Sequence, residues 1–390
     1  MRLIKLGLVG QKGLFDITLE REEISNVSAH VENGQAGVSS SDSIIFEDAV
    51  AFPGLINSHE HLDFNCFPGL KHQIYPNYVA WGEDIQKNEQ VIIQSVLRIP
   101  ESLRTQWGVY KNLLNGITTL VNHGKPLVIA DPLIDVFQGC LSLHSTRFEK
   151  RWKYKLNSPQ SQGKIIVFHA AEGTDAFSKR EIDRINHWNF FRRKWIAVHG
   201  VAMNARQAAF IQALVWCPDS NFFLLNQTAN IGELKTRVPI LFGTDSTLTA
   251  SWSLWDHLRL AARQKNVSPK EIYNMVTETP ARVWGFPLLG KIEKSYQADL
   301  VISRMKGDDY SYLGFLSLAP EDLLLVIHKG QIKLFDESIQ SAPGILRIAS
   351  LFSKVQVAGT VKAVKGDLPA LMKAIRTYNP NQEFPIQYIP

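Results

Sequence analysis

The chain has 390 residues, of which 45% are hydrophobic and 20% charged, and a formal net charge of +5. This composition is typical of a folded globular protein with a large core and argues against intrinsic disorder. The basic residues are scattered rather than gathered in a stripe with aromatic residues, so we do not expect nucleic acid as a partner. A single core stops growing at roughly 250–300 residues, which favours a large domain with a smaller second one.

The cysteines and the apolar runs indicate the cellular compartment of the protein. Cys66, Cys140 and Cys217 are an odd number of thiols without C-x-x-C spacing, which indicates a reducing compartment rather than a disulfide framework. The apolar run Leu6–Gly10 is too short for a signal peptide, and the sequence contains no uncharged apolar span of about 18 residues. We therefore expect a cytoplasmic protein with no membrane partner.

Both ends of the chain show strand patterns. Residues 14–50 alternate apolar and polar positions in short runs, which are interrupted by Asn33-Gly34 and by the cluster Ser39 to Ser43. A matching set of predicted strands lies between residues 298 and 334, so we expect the segments 1–52 and 291–345 to form one small β domain. Residues 346–390 are predicted to be an extension, with a strand over 355–361 and a helix over 368–375. This extension would enlarge the small domain or form a homodimer contact.

The middle of the chain, residues 53–290, alternates apolar strands with helical patterns, as is typical of a parallel α/β architecture. Its first strand closes on His59-Glu60-His61. Two side chains at i and i+2 of a strand project to the same side, which suits one zinc or iron ion. Such a pair alone is more often structural than metal-binding.

Later strands of this middle segment also end in polar residues, and each of these ends has an ordinary structural explanation as a core residue, a turn or a helix cap. Together they predict more, because the carboxyl ends of parallel strands meet at one mouth, where the active site of a (β/α)8 barrel lies. The combined pattern predicts a metallohydrolase. The strand ends are His123, His144, His169 with Glu172, His199, and Gly243-Thr244-Asp245-Ser246.

Five segments taken together resemble the amidohydrolase superfamily. Its branch of cytosine, guanine and adenosylhomocysteine deaminases and triazine chlorohydrolases is the most similar. The resemblance implies a (β/α)8 TIM-like barrel over residues 53–290 and a β-sandwich built from both chain ends. The segments are Pro53 to His61, His169-Ala170-Ala171-Glu172, Val198-His199-Gly200, Cys217-Pro218-Asp219-Ser220-Asn221 and Gly243 to Ser246.

The same resemblance implies roles for individual residues. One divalent metal ion, zinc or alternatively iron, would be held by the four ligands His59, His61, His169 and Asp245. Asp245 would also take a proton from the attacking water. Glu172 would be the proton shuttle, and His199 would hydrogen-bond the hydroxide or the oxyanion. These three residues, Glu172, His199 and Asp245, are the predicted catalytic groups.

Several alternatives stay open at the sequence level. His199 could instead hold a second metal, but the predicted fourth strand, Val136–Leu143, has no lysine to bridge two ions, which favours one metal. Substrate contacts are expected from the mouth: Phe64 and Trp81 in the long connection from Leu62 to Pro100, together with His123 and His144. Glu60 faces away from the two ligand histidines and is predicted to form a salt bridge with the barrel wall.

The predicted activity is hydrolytic deamination of an amino-substituted nitrogen heterocycle, with a small molecule as substrate. The alternative is hydrolysis of an amide, a cyclic amide or a halogenated ring at the same site. An inactive binding or scaffold protein is a remote third possibility, since a usable side chain fills every expected catalytic position.

Overall fold

The computed structural model describes residues 1–31, 43–130, 132–264, 266–307 and 309–389. The predicted turn at Asn33-Gly34 lies outside these residues, as do residues 39–42 of the serine cluster. Among the described residues, none of the helices is long and apolar enough to cross a membrane.

The elements are numbered in chain order. The strands are β1 (Arg2–Leu8), β2 (Leu14–Glu20), β3 (Glu23–Ala29), β4 (Ser43–Ile45), β5 (Ala49–Pro53), β6 (Leu55–Glu60), β7 (Ile117–Asn122), β8 (Asp135–Phe137), β9 (Leu141–Leu143), β10 (Ile166–Ala170), β11 (Trp195–His199), β12 (Ala213–Trp216), β13 (Ile240–Phe242), β14 (Leu300–Arg304), β15 (Leu323–His328), β16 (Gln331–Asp336), β17 (Phe352–Val357), β18 (Thr360–Lys365) and β19 (Gln387–Tyr388). The helices are α1 (Tyr78–Asn88), α2 (Gln90–Leu97), α3 (Glu101–Leu113), α4 (Trp152–Asn157), α5 (Ala176–Trp188), α6 (Ala205–Ala208), α7 (Pro218–Leu225), α8 (Ile231–Leu234), α9 (Leu254–Ala262), α10 (Pro269–Met275), α11 (Glu278–Trp284), α12 (Tyr312–Leu316), α13 (Pro343–Leu346) and α14 (Leu368–Tyr378).

One mixed sheet joins the two ends of the chain. Its strand order is β19-β17-β18-β16-β15-β14-β5-β1-β2-β3, with β4 beside β1. The two ends meet where β14 pairs antiparallel with β5, so that Leu300 lies opposite Pro53. A separate β-sheet domain is therefore present. The residue boundaries of the domains, 1–52 with 291–345, 53–290 and 346–390, stay a prediction.

The C-terminal residues extend this sheet. Here the predicted strand over residues 355–361 is wrong, because β17 ends at Val357 and a turn with Ala358 and Gly359 at positive φ leads into β18. Glycine has no Cβ to oppose this conformation, so the hairpin reverses there. The predicted helix is present as α14, which packs against α3.

The middle of the chain forms the parallel part of the fold. Strands β6-β7-β8 form one arc and β9 to β13 a second, with parallel pairing throughout. A parallel bridge between Glu60 and Asp245 brings the first and last of these strands together. The predicted α/β class with parallel strands is confirmed. Pairing between β8 and β9, which would close the barrel, is absent among the described residues.

The predicted single fourth strand over Val136–Leu143 is wrong. Val136 and Phe137 belong to β8, which pairs with β7, whereas Leu141–Leu143 form β9, which pairs with β10. Only residues 138–140 connect the two strands, which is far shorter than the dozen or so residues that a helical crossover between parallel strands requires. The helix that a regular (β/α)8 repeat has between its third and fourth strands is therefore missing from the described chain.

The long connection from Leu62 to Pro100 is not an irregular loop. It contains a short 3₁₀ helix, Leu62–Phe64, followed by α1 and α2. The side chain of Asn77 caps α1 by accepting hydrogen bonds from the backbone N–H groups of Val79 and Ala80. A helical segment thus lies between the first strand and α3.

Candidate metal centre and active site

The first and last parallel strands together position two histidines and an aspartate. The Nε2 atoms of His59 and His61 lie 3.8 Å and 3.6 Å from Oδ1 of Asp245. The backbone N–H of Asp245 donates to the carbonyl of His59, and that of His61 donates to the carbonyl of Asp245, each at 3.1 Å. A Cβ on Gly243 would lie 2.7 Å from the Cβ of His59, so glycine is required for this approach.

Asp245 has one oxygen bound and the other directed at the histidines. Ser220 and Thr249 both donate to its Oδ2, at 2.7 Å and 3.0 Å, which leaves Oδ1 facing His59 and His61. Burial raises the pKa of this carboxyl, but His61, His199 and the two hydroxyl donors outweigh burial and hold the pKa below its usual value. Asp245 is therefore an anion placed to bind a cation or accept a proton.

Glu172 lies beyond the end of β10. Its Oε2 is 3.7 Å from Nδ1 of His169 and 3.6 Å from Nε2 of His199. Burial, followed by the charges of Asp245 and Glu181, raises the pKa of Glu172 well above its usual value. A buried carboxyl with a raised pKa holds its proton more tightly than a free one and is suited to general acid catalysis.

The backbone before Glu172 is held in an unusual conformation. Ala171 has a φ of 56°, and its N–H donates to the buried carboxylate of Glu181 at 2.9 Å. His199 and Asp245 also have positive φ values, 72° and 60°. Non-glycine residues in this region carry a cost of about 1–3 kcal/mol and cluster at functional sites. The strain marks the strand ends that carry the predicted catalytic groups.

His199 is buried at the end of β11 and is oriented by a residue on α7. Its Nδ1 lies 2.9 Å from Oδ1 of Asn221, whose amide nitrogen donates to the hydroxyl of Thr228. Since Asn221 presents an oxygen, Nδ1 carries the proton and Nε2 keeps its lone pair when the ring is neutral. Burial lowers the pKa of His199, which favours the neutral ring.

Sequence reasoning assigned no role to the residues that orient this site. Ser220 and Asn221 belong to the segment Cys217 to Asn221, which supported the family resemblance, so that motif held the signal. Thr249 and Glu181 lie outside the motifs, and their contacts depend on the three-dimensional packing of α5 and of the turn after β13.

His123 and His144 were predicted as substrate contacts at the mouth. His123 is 4% exposed, and its ring stacks on His169 with centroids 4.4 Å apart. His144 is exposed, follows β9, and lies with its ring centroid 4.8 Å from that of His169. The two histidines therefore occupy different environments, one inside the cluster and one at its opening.

Of the two predicted aromatic contacts, the structure brings one to the cluster. Phe64 stacks on His61 with centroids 5.6 Å apart and an interplanar angle of 19°. Trp81 lies on α1 and donates its indole N–H to the carbonyl of Leu70, and it makes no ring contact or hydrogen bond with the histidines of the described chain. Tyr78, one turn earlier on α1, is nearer the mouth, since its ring lies 6.2 Å from that of His144.

The predicted salt bridge of Glu60 is present. Glu60 is fully buried and accepts a hydrogen bond from Nζ of Lys111 on α3 at 2.9 Å. Asn65, Asn112 and Thr244 also donate to this carboxylate. The residue between the two histidines thus anchors the strand end to the barrel wall, because a buried charge requires both a counter-ion and hydrogen-bond donors.

The donor set fits a divalent transition metal. The Nε2 atoms of His59, His123, His169 and His199 are buried without hydrogen-bond partners, and an unsatisfied buried polar atom costs about 1–3 kcal/mol. Potential ligand atoms lie within 4.8 Å of one another in three triads: His59, His61 and Asp245; His59, His123 and His169; and His169, Glu172 and His199. His59 links the first two triads, and imidazole with carboxylate suits zinc or iron.

Parallel strand ends that bring imidazoles and carboxylates close together are typical of metal-dependent hydrolases. Residues 155–333 match the model of the Amidohydrolase family. The resemblance predicted from the sequence is thus confirmed.

Individual relatives agree with this assignment. A 5-methylthioadenosine/S-adenosylhomocysteine deaminase of Caldicellulosiruptor saccharolyticus is 22% identical, over 76% of this chain and 81% of that protein. A zinc-bound adenosine deaminase of Xanthomonas campestris has a similar fold, with a TM-score of 0.70, 15% identity and coverage of 97% of both chains. A zinc-bound atrazine chlorohydrolase of Arthrobacter aurescens has a TM-score of 0.64 and 16% identity, over 85% of this chain and 94% of that one. The family match and the deaminase relatives support a hydrolase that acts on C–N bonds.

Proposed function

We propose that the protein is a metal-dependent deaminase that removes the amino group from an amino-substituted nitrogen heterocycle. The observation that carries the proposal is the placement of Glu172, a buried carboxyl of raised pKa between His169 and His199. Water and the amino compound are consumed, and the hydroxy or oxo heterocycle and ammonia are released. The names of the curated relatives suggest adenine nucleosides as the first compounds to test.

His59, His61, His169 and Asp245 would hold one divalent ion. We propose zinc, with iron as the alternative, because imidazole and carboxylate suit both ions and two similar structures contain zinc. The bound ion would lower the pKa of water towards about 7. A single ion is favoured because the fourth parallel strand, β9, contains no lysine.

The side chains have complementary proton states for this reaction. Oδ1 of Asp245, the oxygen free of Ser220 and Thr249, accepts the proton of the attacking water. Nε2 of His199 accepts a hydrogen bond from the same water, since Nδ1 carries the proton towards Asn221. Glu172 donates its proton to the substrate nitrogen, which makes the amine a better leaving group.

The experiment has two readings, metal content and released product. Protein purified without chelators is analysed for zinc and iron, and then assayed for ammonia with adenosine, 5-methylthioadenosine, S-adenosylhomocysteine and aminated pyrimidines. We expect close to one equivalent of metal and ammonia from at least one compound. A metal content well under half an equivalent, which added metal does not restore, would refute the proposed metal site.

A second activity is favoured by one observation, the structural similarity to the atrazine chlorohydrolase. Hydrolysis of a halogenated ring or an amide would use the same water and differ only in the leaving group. Chloride release from a chlorinated triazine, or amine release from an amide, without ammonia from any amino heterocycle would select this alternative. A metal-loaded protein that hydrolyses none of these compounds but binds one tightly would support a binding protein.

The compartment is also a proposal. Cys66, Cys140 and Cys217 are free thiols, in keeping with a reducing compartment, and we propose the cytoplasm.

A further inference from the structure

We propose that His123 is a ligand of the metal ion rather than a contact to substrate. The inference rests on the metal centre of the proposed function and adds one imidazole to its four proposed ligands. It concerns the strand end of β7, to which the family resemblance assigned no ligand.

The position of the His123 ring supports this role. Its ligand nitrogen lies within 4.8 Å of those of His59 and His169, which belong to the proposed metal site. The ring centroid of His123 is 4.4 Å from that of His169, 5.0 Å from that of His59 and 5.3 Å from that of His61. His123 is therefore surrounded by the other imidazoles.

A ligand role also accounts for the buried ring nitrogen of His123. His123 is 4% exposed and its Nε2 is buried without a hydrogen-bond partner. A bound ion would satisfy the Nε2 lone pair, which otherwise carries the cost of an unpaired buried acceptor.

The backbone fixes the ring in this place. The N–H of His123 donates to the carbonyl of Glu60 at 2.8 Å, and Glu60 stands between His59 and His61 and is anchored by Lys111. His123 is thus tied to the same strand end that carries the first two proposed ligands. Such support is what holds metal ligands at a defined spacing.

His144 provides a matched control in the same chain. It also follows a parallel strand and lies near His169, with its ring centroid 6.4 Å from that of His123, but it is exposed and belongs to none of the three triads. Replacement of His144 removes an imidazole from the mouth without removing one from the buried cluster.

The test compares wild type, His123→Gln and His144→Gln after removal of metal. Zn²⁺ affinity is measured by competition with a chromophoric chelator, and Co²⁺ binding by its visible absorption. Because loss of an outer partner of a ligand costs about 10–100-fold in metal affinity, loss of a ligand should cost about 100-fold or more. We expect this loss and an altered Co²⁺ spectrum in His123→Gln, with both readings unchanged in His144→Gln.

The outcomes separate this inference from the proposed function. If wild type binds neither ion, both the proposed metal-dependent function and the ligand role of His123 fail. If wild type binds Zn²⁺ and His123→Gln binds it equally well with the same Co²⁺ spectrum, the ligand role is overturned and the metal centre stands. Thermal unfolding of the metal-free proteins checks the fold, and His123→Asn replaces the glutamine variant if that variant does not fold.

Discussion

His199 and Asn221 are joined by a hydrogen bond of 2.9 Å between Nδ1 and Oδ1, and this bond decides what the other ring nitrogen can do. With the proton held on Nδ1, Nε2 faces Glu172 at 3.6 Å as an acceptor. A residue on α7 thereby sets the tautomer of a histidine on β11.

We predict that Asn221→Ala lowers kcat by about 10–100-fold, because the imidazole loses the partner that orients it. Metal content should stay near that of wild type, since the side-chain hydrogen bonds of Asn221 within the described residues go to His199 and Thr228 and not to a proposed metal ligand. Asn221→Asp keeps an oxygen at this position and should recover much of the lost kcat. An equal loss of kcat in Asn221→Ala and Asn221→Asp would mean that Asn221 has a packing role only.

Glu172→Gln should leave metal and substrate binding nearly intact and lower the chemical step by about 10²–10⁴-fold. The amide has almost the same shape as the carboxyl but cannot donate and recover a proton. Single-turnover kinetics and metal analysis check this, with His59→Ala as the comparison variant that loses the metal. Unchanged turnover in Glu172→Gln would assign the carboxyl a structural role.

The sequence predicted the strand ends well because the proposed ligand residues follow apolar runs directly. His59 lies in one group of potential ligand atoms with His169 and in another with Asp245, since the parallel order of the strands brings their carboxyl ends together. Residues that act through side-chain packing, such as Thr249 and Glu181, were not predictable, because their contacts depend on the packing of elements that are distant along the chain.

The interruption between β8 and β9 was missed. Residues 136–143 were interpreted as one strand, although Gly139 in their middle is disfavoured in strand interiors. The first half, β8, pairs with β7, and the second half, β9, pairs with β10. These pairings depend on strands that lie elsewhere in the chain. That His123 is buried and His144 exposed could not be predicted for the same reason, because burial depends on the neighbouring strands.

A third prediction concerns the pH dependence of stability through His328. This histidine ends β15 and is 3% exposed, with Nδ1 2.9 Å from Asp299 and Nε2 3.5 Å from Asp135 on β8. Burial lowers its pKa, but the two carboxylates outweigh burial and raise the pKa above the usual value. The folded protein thus binds this proton more tightly than the unfolded chain does.

The stabilisation from His328 should therefore be complete below about pH 6.5, the usual value, and should disappear as the pH rises through the folded-state pKa. We expect the difference in the free energy of unfolding between wild type and His328→Asn to shrink as the pH rises above about 6.5. Denaturant unfolding of the metal-free proteins at several pH values measures this difference. His187 is exposed, so His187→Asn is the control. A difference that stays constant with pH would contradict the charged pair.

A fourth prediction follows from the contact between the C-terminal segment and the loop after β6, the strand that carries two proposed metal ligands. Gln382 is 9% exposed, and its Nε2 donates to the carbonyl of Cys66 at 3.0 Å. Phe384 packs edge-on against Trp107, whose indole N–H donates to the carbonyl of Asn65 at 2.9 Å. The extension therefore supports two consecutive residues of this loop.

Asn65 connects this support to the site. Its side-chain nitrogen donates to Glu60 at 3.0 Å and to the carbonyl of His61 at 3.2 Å. Displacement of the loop would therefore move the backbone that carries His61, a proposed metal ligand. A 1 Å error in a catalytic group can cost a large factor in rate, so the extension should influence turnover as well as stability.

We predict that Gln382→Ala lowers the free energy of unfolding by about 1–3 kcal/mol, because the carbonyl of Cys66 loses its donor in a buried setting. The variant should also lower kcat more than it changes KM, since the loop supports a proposed metal ligand. Its exposed neighbour Glu383 gives the matched control, Glu383→Ala, which should change neither quantity. Urea unfolding measures the free energy of unfolding, and steady-state kinetics measures kcat and KM. If Gln382→Ala matches Glu383→Ala in these quantities, the extension does not support the site.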